Sequence, residues 1–190
     1  MSYIQVLDAK FNTEELIQGL DEVLQLCQWH SDHNQIGLTH SLDPSSEQAW
    51  YDSVGSLVFA WGPDPYDENG QLKRKQVIKT ELQFVHVVKE FRNTIFNQVI
   101  STLSNSYILG RVRLMRLRPK TVMSWHTDGE PRLHVPIITN DGSFLLIEET
   151  SNHLKADGSA YFVDTTKHHT AVNAGKTERI HLVACVLGKR

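Results

Sequence analysis

Cysteine, long apolar runs and an excess of charge of either sign are all scarce in this chain. Its two cysteines, Cys27 and Cys185, stand far apart among 190 residues and have no C-x-x-C partner. They cannot build a disulfide framework, which leaves buried thiols in a reducing compartment as the expectation. No apolar stretch approaches the roughly 20 residues that span a bilayer, so no membrane partner is expected. Met1 to Lys10 lacks a basic stretch followed by an apolar run; no signal peptide is expected, and the default location is cytoplasmic. Lys and Arg number 19 against 22 Asp and Glu, a net of -3. That balance argues against a nucleic-acid partner, which would need a basic face. What is present is an apolar fraction of 40%, in a chain of a length that suits one globular domain with one sizeable core.

The first half carries helical signals. Asn12-Thr13-Glu14-Glu15 has the form of a capping box, with Phe11 and Leu16 placed as its hydrophobic staple. Leu16, Leu20, Val23, Leu24 and Cys27 then recur at helical spacing. A second helix is expected from Thr80, with Gln83 completing a capping box and Phe84, Val88, Phe91, Ile95 and Val99 as its buried stripe. Between the two, Trp50 to Trp61 reads as a strand and Gly62-Pro63-Asp64-Pro65 to Asn69-Gly70 as a loop. Lys73, Arg74 and Lys75 read as a solvated edge.

From Arg111 the texture changes to short strands: Arg111 to Arg118, Val122 to His126, Leu133 to Ile138, Phe144 to Glu148, Ala160 to Asp164, His169 to Val172 and Ile180 to Leu187. Turn signals such as Asp128-Gly129, Asn140-Asp141-Gly142 and Asp157-Gly158 separate them. Helices first and short strands after predict an α+β chain, a jelly roll of antiparallel strands with N-terminal helices packed on one sheet.

Ten histidines are many for this length, and their placement matters more than their number. His126-Thr127-Asp128 sets an imidazole and a carboxylate two positions apart, which at a strand end points both the same way. A histidine from a distant strand would complete two nitrogens and one oxygen on one face of a metal. Such a facial triad holds iron(II) and leaves its other positions open. His169 lies downstream across several intervening strands. Arg179 then heads the apolar strand Ile180-His181-Leu182-Val183-Ala184. An inward arginine there is expensive unless it meets an anion, either a dicarboxylate co-substrate or a structural acid such as Asp164.

The stretch from Arg111 to Leu187 resembles the aspartyl/asparaginyl β-hydroxylase group of 2-oxoglutarate oxygenases, which includes bacterial proline hydroxylases. The segments that carry the resemblance are His126-Thr127-Asp128-Gly129, Arg132-Leu133-His134-Val135-Pro136-Ile137, and His169-Thr170-Ala171-Val172-Asn173 with Gly175 and Arg179-Ile180-His181-Leu182-Val183. The resemblance implies a double-stranded β-helix (cupin-like) with iron at its open end, held by His126, Asp128 and His169. It implies that Arg179 anchors 2-oxoglutarate, that His134 touches it, and that Arg132 lines the co-substrate or substrate side. Some members of the group have glycine at the Asp128 position, and halogenating relatives lose the carboxylate too. Retention of Asp128 therefore points to hydroxylation. The domain expected is 1–190, with 1–105 as helical, substrate-side support and 106–190 as the β-helix core.

His168 competes with His169, but adjacent strand residues face opposite ways, and His169 has the family spacing to Asn173 and Arg179. His30, His33 and His40 are not expected to bind metal, and His86, His153 and His181 read as structural or surface groups. The arginines from Arg111 to Arg118 read mostly as edge-strand protection, with Arg116 and Arg118 open to a pocket role. Trp125 reads as core; Trp50, Trp61 and Tyr66 are candidates for a substrate lid. The function expected is hydroxylation, with dioxygen, of an amino acid or a peptidyl Asp, Asn or Pro side chain. Its rivals are a non-catalytic metal-binding jelly roll and a cupin-like enzyme that needs no 2-oxoglutarate.

Overall fold

The computed structural model describes residues 2–42, 48–55, 59–60, 68–71, 76–77 and 79–190, without the side chains of 59–60 and 76–77. Trp61, Tyr66, Lys73, Arg74, Lys75 and the 62–65 loop lie outside the described residues. The chain opens with β1 (Ile4–Lys10), α1 (Thr13–Leu26), β2 (Gln35–Gly37) and β3 (Thr39–His40). β4 (Phe59–Ala60), β5 (Gln76–Val77), β6 (His86–Val87) and α2 (Ile95–Ser104) follow. The second half is β7 (Tyr107–Leu117), β8 (Thr121–Val122), β9 (Arg132–Ile138), β10 (Ser143–Ile147), β11 (Thr150–Asn152), β12 (Ser159–Val163), β13 (His169–Asn173) and β14 (Arg179–Lys189).

Asn12 caps α1 as expected, its side chain accepting from the Glu14 and Glu15 amides at 2.8 and 3.2 Å. The second helix is shorter than expected. Thr80 and Gln83 do close a capping box, but around a single 3-10 turn, Glu81–Gln83, and α2 begins only at Ile95. Val85, Val87 and Val88 crowd a helix, and the 86–87 backbone pairs instead with Thr39 and His40. The stripe residues Phe84, Val88, Phe91 and Val99 are nonetheless buried. Trp50 to Trp61 is not a continuous strand: Ala49–Tyr51 is a 3-10 turn and Phe59–Ala60 a two-residue strand. β1 was not anticipated; it pairs with β12 as an edge strand, from Ile4 opposite Val163.

Two antiparallel sheets face each other, which makes the chain the double-stranded β-helix expected. The larger runs β1-β12-β9-β14-β7-β2 and the smaller β11-β10-β13-β8. Strand alternation divides the larger sheet's two faces. Leu133, Val135, Val112, Leu114, Ile180, Leu182 and Ala184 form the main core with Leu16, Leu20, Phe96 and Val99 of the helices. Both helices therefore cover this outer face. Between the sheets lies a smaller core of Leu145, Ile147, Leu154, Tyr161, Val163 and Ala171. The rest of the larger sheet's inner face sets polar side chains among Met115, Pro136 and Val183. Gly158 ties the helical layer to the barrel: its φ is 84° and its carbonyl accepts from the Phe11 amide at 2.8 Å. A Cβ there would sit 2.0 Å from the Phe11 carbonyl oxygen. Cys27 and Cys185 are free and buried, and no helix among the described residues is long and apolar enough to cross a membrane.

Candidate metal centre

The backbone brings the two motif histidines together before their side chains do. After β8 the chain leaves the sheet and returns at His126 for one isolated antiparallel bridge with His169. The His126 amide donates to the His169 carbonyl at 3.0 Å and the reverse bond is 2.9 Å. Directly opposed residues of an antiparallel pair project to the same side, and the ring centroids are 4.3 Å apart. The Asp128 amide is fixed by the Thr165 carbonyl at 2.9 Å. One ligand atom from each of His126, Asp128 and His169 then lies within 4.8 Å of the others.

Their protonation suits lone-pair donation. His126 Nδ1 meets the Ser124 carbonyl at 2.8 Å and His169 Nδ1 the Lys167 carbonyl at 2.9 Å. A carbonyl can only accept, so each ring carries a proton on Nδ1, and Nε2 is the nitrogen from which the neutral imidazole offers its lone pair. Burial holds the His169 imidazole below its ordinary range, which keeps it neutral near pH 7. Asp128 Oδ2 accepts from Arg132 Nε at 3.1 Å and lies 3.9 Å from His169 Nε2. His168 faces out: its ring lies 5.1 Å from Trp125, and its amide donates to Glu148 Oε1. Trp125 is 47% exposed, so the core position expected for it is corrected.

The three central strands of the larger sheet each turn a polar pair inward, Arg111 and Arg113 on β7, Arg132 and His134 on β9, Arg179 and His181 on β14. All six are buried. The edge-protection reading of β7 is overturned, because that strand lies between β14 and β2. Arg111 is paired: its amide and Nε donate to Glu81 at 2.8 and 2.9 Å. Burial alone would raise Glu81, but the hydrogen bonds and charge of Arg111 outweigh it and hold the carboxyl below its ordinary range. Among the described residues Arg113 has only the Gln35 side-chain oxygen and the Gly55 carbonyl, each at 3.1 Å, and burial with the charges of Arg111 and Arg132 pushes it down to about 9. Among the described residues, the buried Arg113 Nε and Arg132 Nη1 have no hydrogen-bond partner.

Arg116 points the other way, over the Trp29 ring at 4.9 Å and to Asn34 and Glu178 at 2.8 and 3.3 Å, a structural position. Arg118 lines a cleft of ≈ 260 Å³ with Met115, Leu117, Thr121, Met123 and Arg179. Arg179 does not pair with Asp164, whose carboxylate accepts from Thr166. Among the described residues no acid lies within ion-pair distance of Arg179, and its hydrogen-bond partner is His181 Nδ1 at 3.0 Å. His181 was expected to be structural or at the surface; it lies inside the barrel and also meets His134 Nδ1 at 3.3 Å. Glu81, Glu130 and Cys185 form a second group of close donors. Arg111 occupies Glu81 there, and burial pushes the Cys185 thiol up to about 12, so no thiolate is offered near neutral pH. His30 and His33 have ring centroids 5.0 Å apart at a tilt and join no donor group among the described residues.

A family model described as aspartyl/asparaginyl beta-hydroxylase matches residues 71–187. The chain belongs to the aspartyl/asparaginyl beta-hydroxylase family. It is accordingly an enzyme of the hydroxylase type. No curated protein matches the hydroxylase in sequence. Among solved structures it resembles the viral collagen prolyl hydroxylase of Paramecium Bursaria Chlorella virus-1, solved as a 2OG complex. That likeness has 11% identity and a TM-score of 0.54, covering 97% of this chain and 95% of that one. It also resembles the non-heme monooxygenase ThoJ, solved with nickel, at 14% identity and a TM-score of 0.51, over 97% of this chain and 73% of the other. At such identities the likeness speaks for the fold. What sequence reasoning missed in this hydroxylase was that Arg111, Arg113 and His181 share the inward row with Arg132, His134 and Arg179. Its signal was the repeated polar-apolar-polar triplet at 111–113, 132–134 and 179–181.

Proposed function

We propose that this hydroxylase uses iron(II) and 2-oxoglutarate to hydroxylate an unactivated carbon of an amino acid or a peptidyl Asp, Asn or Pro side chain. The observation that carries the reading is the His126–His169 bridge, which presents two Nε2 lone pairs beside the Asp128 carboxylate. Two imidazoles and one carboxylate fit iron(II) and leave room for further ligands. The unpaired Arg179 fits the distal carboxylate of 2-oxoglutarate, since a buried guanidinium without an acid is costly and a carboxylate offers a two-pronged partner. Bound iron and 2-oxoglutarate together supply the oxidising power that puts one oxygen atom of dioxygen into a C–H bond.

The chain's own residues then divide the work. The Ser124 and Lys167 carbonyls hold the two imidazoles in the tautomer that binds metal. Arg132 orients Asp128 through Nε and so holds the carboxylate beside the two imidazoles. His134, whose Nδ1 meets His181 beside Arg179, would touch the co-substrate. Arg113, whose described hydrogen-bond partners are neutral oxygens, gives the inner wall positive charge, which favours a substrate that carries a carboxylate. The resemblance to a collagen prolyl hydroxylase keeps a prolyl substrate among those to be tried.

The test is a screen of free amino acids and peptides with iron(II), 2-oxoglutarate and ascorbate, read by mass spectrometry. A gain of one oxygen matched by equal succinate supports the proposal. Turnover indifferent to 2-oxoglutarate would favour a cupin-like enzyme. Metal binding with no succinate from any substrate would favour a binding module.

A further inference from the structure

Arg179 and His181 project to the same side of β14, two residues apart, and the sheet on either side supplies no anion to either. The neighbours of His181 on this face are Met115 of β7 and Pro136 of β9, its register partners. His181 is fully buried and yet makes two polar contacts, with Arg179 Nη2 at 3.0 Å and His134 Nδ1 at 3.3 Å. A guanidinium has only N–H groups, so His181 Nδ1 must be the acceptor and carry no proton. The His181 proton therefore sits on Nε2. His134, meeting the same lone pair, must bring its own proton on Nδ1, which leaves His134 Nε2 as a lone pair.

We propose that His181 is a positioning residue, whose Nδ1 lone pair holds the Arg179 guanidinium and aims it at an anionic ligand inside the barrel without neutralising it. An acid in this position would fix Arg179 equally well but would compete with the ligand for its charge. A neutral imidazole orients the fork and leaves the full positive charge to the ligand. The same lone pair sets the tautomer of His134, so one side chain fixes two groups of the co-substrate wall. The inference rests on the reading of Arg179 as the 2-oxoglutarate anchor.

The test compares His181→Asn, His181→Gln, His181→Asp and Arg179→Ala in the full-length, iron(II)-loaded protein under anaerobic conditions. The readout is the dissociation constant of 2-oxoglutarate by calorimetry, with melting temperature as a check on folding. Asn places an acceptor near the position of Nδ1, whereas Gln places its polar atoms near Nε2. His181→Asn is expected to bind within about threefold of the parent, and His181→Gln to lose about tenfold or more, the scale of one hydrogen bond to a charged group. His181→Asp, nearly identical in shape to His181→Asn, is expected to bind much more weakly than it. A purely structural role for His181 predicts that the Asn and Asp variants behave alike, and that result would overturn the proposal. So would a His181→Gln variant with parental affinity. If the Asp variant fails to fold, the Asn and Gln pair still decides. If Arg179→Ala itself binds 2-oxoglutarate normally, the anchor reading falls. If Arg179→Ala binds weakly while every His181 variant binds normally, only the positioning role falls.

Discussion

Arg179→Met should move stability and co-substrate binding in opposite directions. Burial without an acid pushes the Arg179 guanidinium down to about 10. Relative to an ordinary arginine, that depression means a buried charge costing on the order of 3 kcal/mol at neutral pH. Methionine keeps an unbranched apolar stem and removes the charge. It also takes from His181 Nδ1 the nearer of its two donors, at a cost of about 1 kcal/mol. The net expectation is a ligand-free protein more stable by roughly 2 kcal/mol, a rise in Tm of about 5 °C for a chain of this size. Removing one member of a buried charge pair costs about 2–5 kcal/mol in affinity, so 2-oxoglutarate should bind at least about thirtyfold more weakly. The assay is differential scanning calorimetry without ligand, then with 2-oxoglutarate at about 100 times the parent's dissociation constant, where the parent gains about 2.7 kcal/mol. The two stabilities should then cross or converge, because the variant gains little. A variant less stable than its parent in the absence of ligand would refute the reasoning, since it would mean that Arg179 is already satisfied within the fold. A variant that gained as much from ligand as the parent would refute the anchor.

His169→Ala should abolish tight iron(II) binding in an anaerobic metal titration, while His168→Ala, which loses only a stacking contact with Trp125, should bind metal within about twofold of the parent. Glu81→Gln leaves the buried Arg111 charge unmatched and should lower stability by about 3–5 kcal/mol in urea unfolding, with an unchanged dependence on urea concentration. Acid should also destabilise the metal-free protein. Burial first, then Arg179, holds His134 and His181 well below their ordinary range, so the unfolded chain binds more protons than the native one. Stability is then fully present above the unfolded histidine value of about 6.5 and is lost as pH falls below it, by about 1.4 kcal/mol per pH unit for each such group. A metal-free melting temperature unchanged between about pH 7 and 5 would contradict this assignment.

Much of the fold could be read locally. The seven strands expected after Arg111 all form, with ends moved by a few residues, because each is a short run rich in strand-forming residues between turn signals. The exception in extent is Val122 to His126, which pairs only at its two ends. The cap at Asn12 was equally legible, since it depends on residues within one turn. The Thr80 signal was real but local: it closes one turn, and pairing with β3 claims the following residues, which no local pattern records.

The inner row is where sequence and structure divide. By itself the sequence determined the motif His126-Thr127-Asp128, the alternation that sends Arg179 and His181 to one face, and the family to which they belong. Period-2 geometry needs no partner strand to fix which residues share a side. Only the tertiary structure decided that the His126 and His169 backbones pair, that β7 is an inner strand, and that Arg111 is neutralised by Glu81 while Arg179 is not. Strand order, and hence whether a buried charge meets an acid or stands unpaired, arises from contacts between residues tens of positions apart. Those contacts are set by how the two sheets and the helices pack.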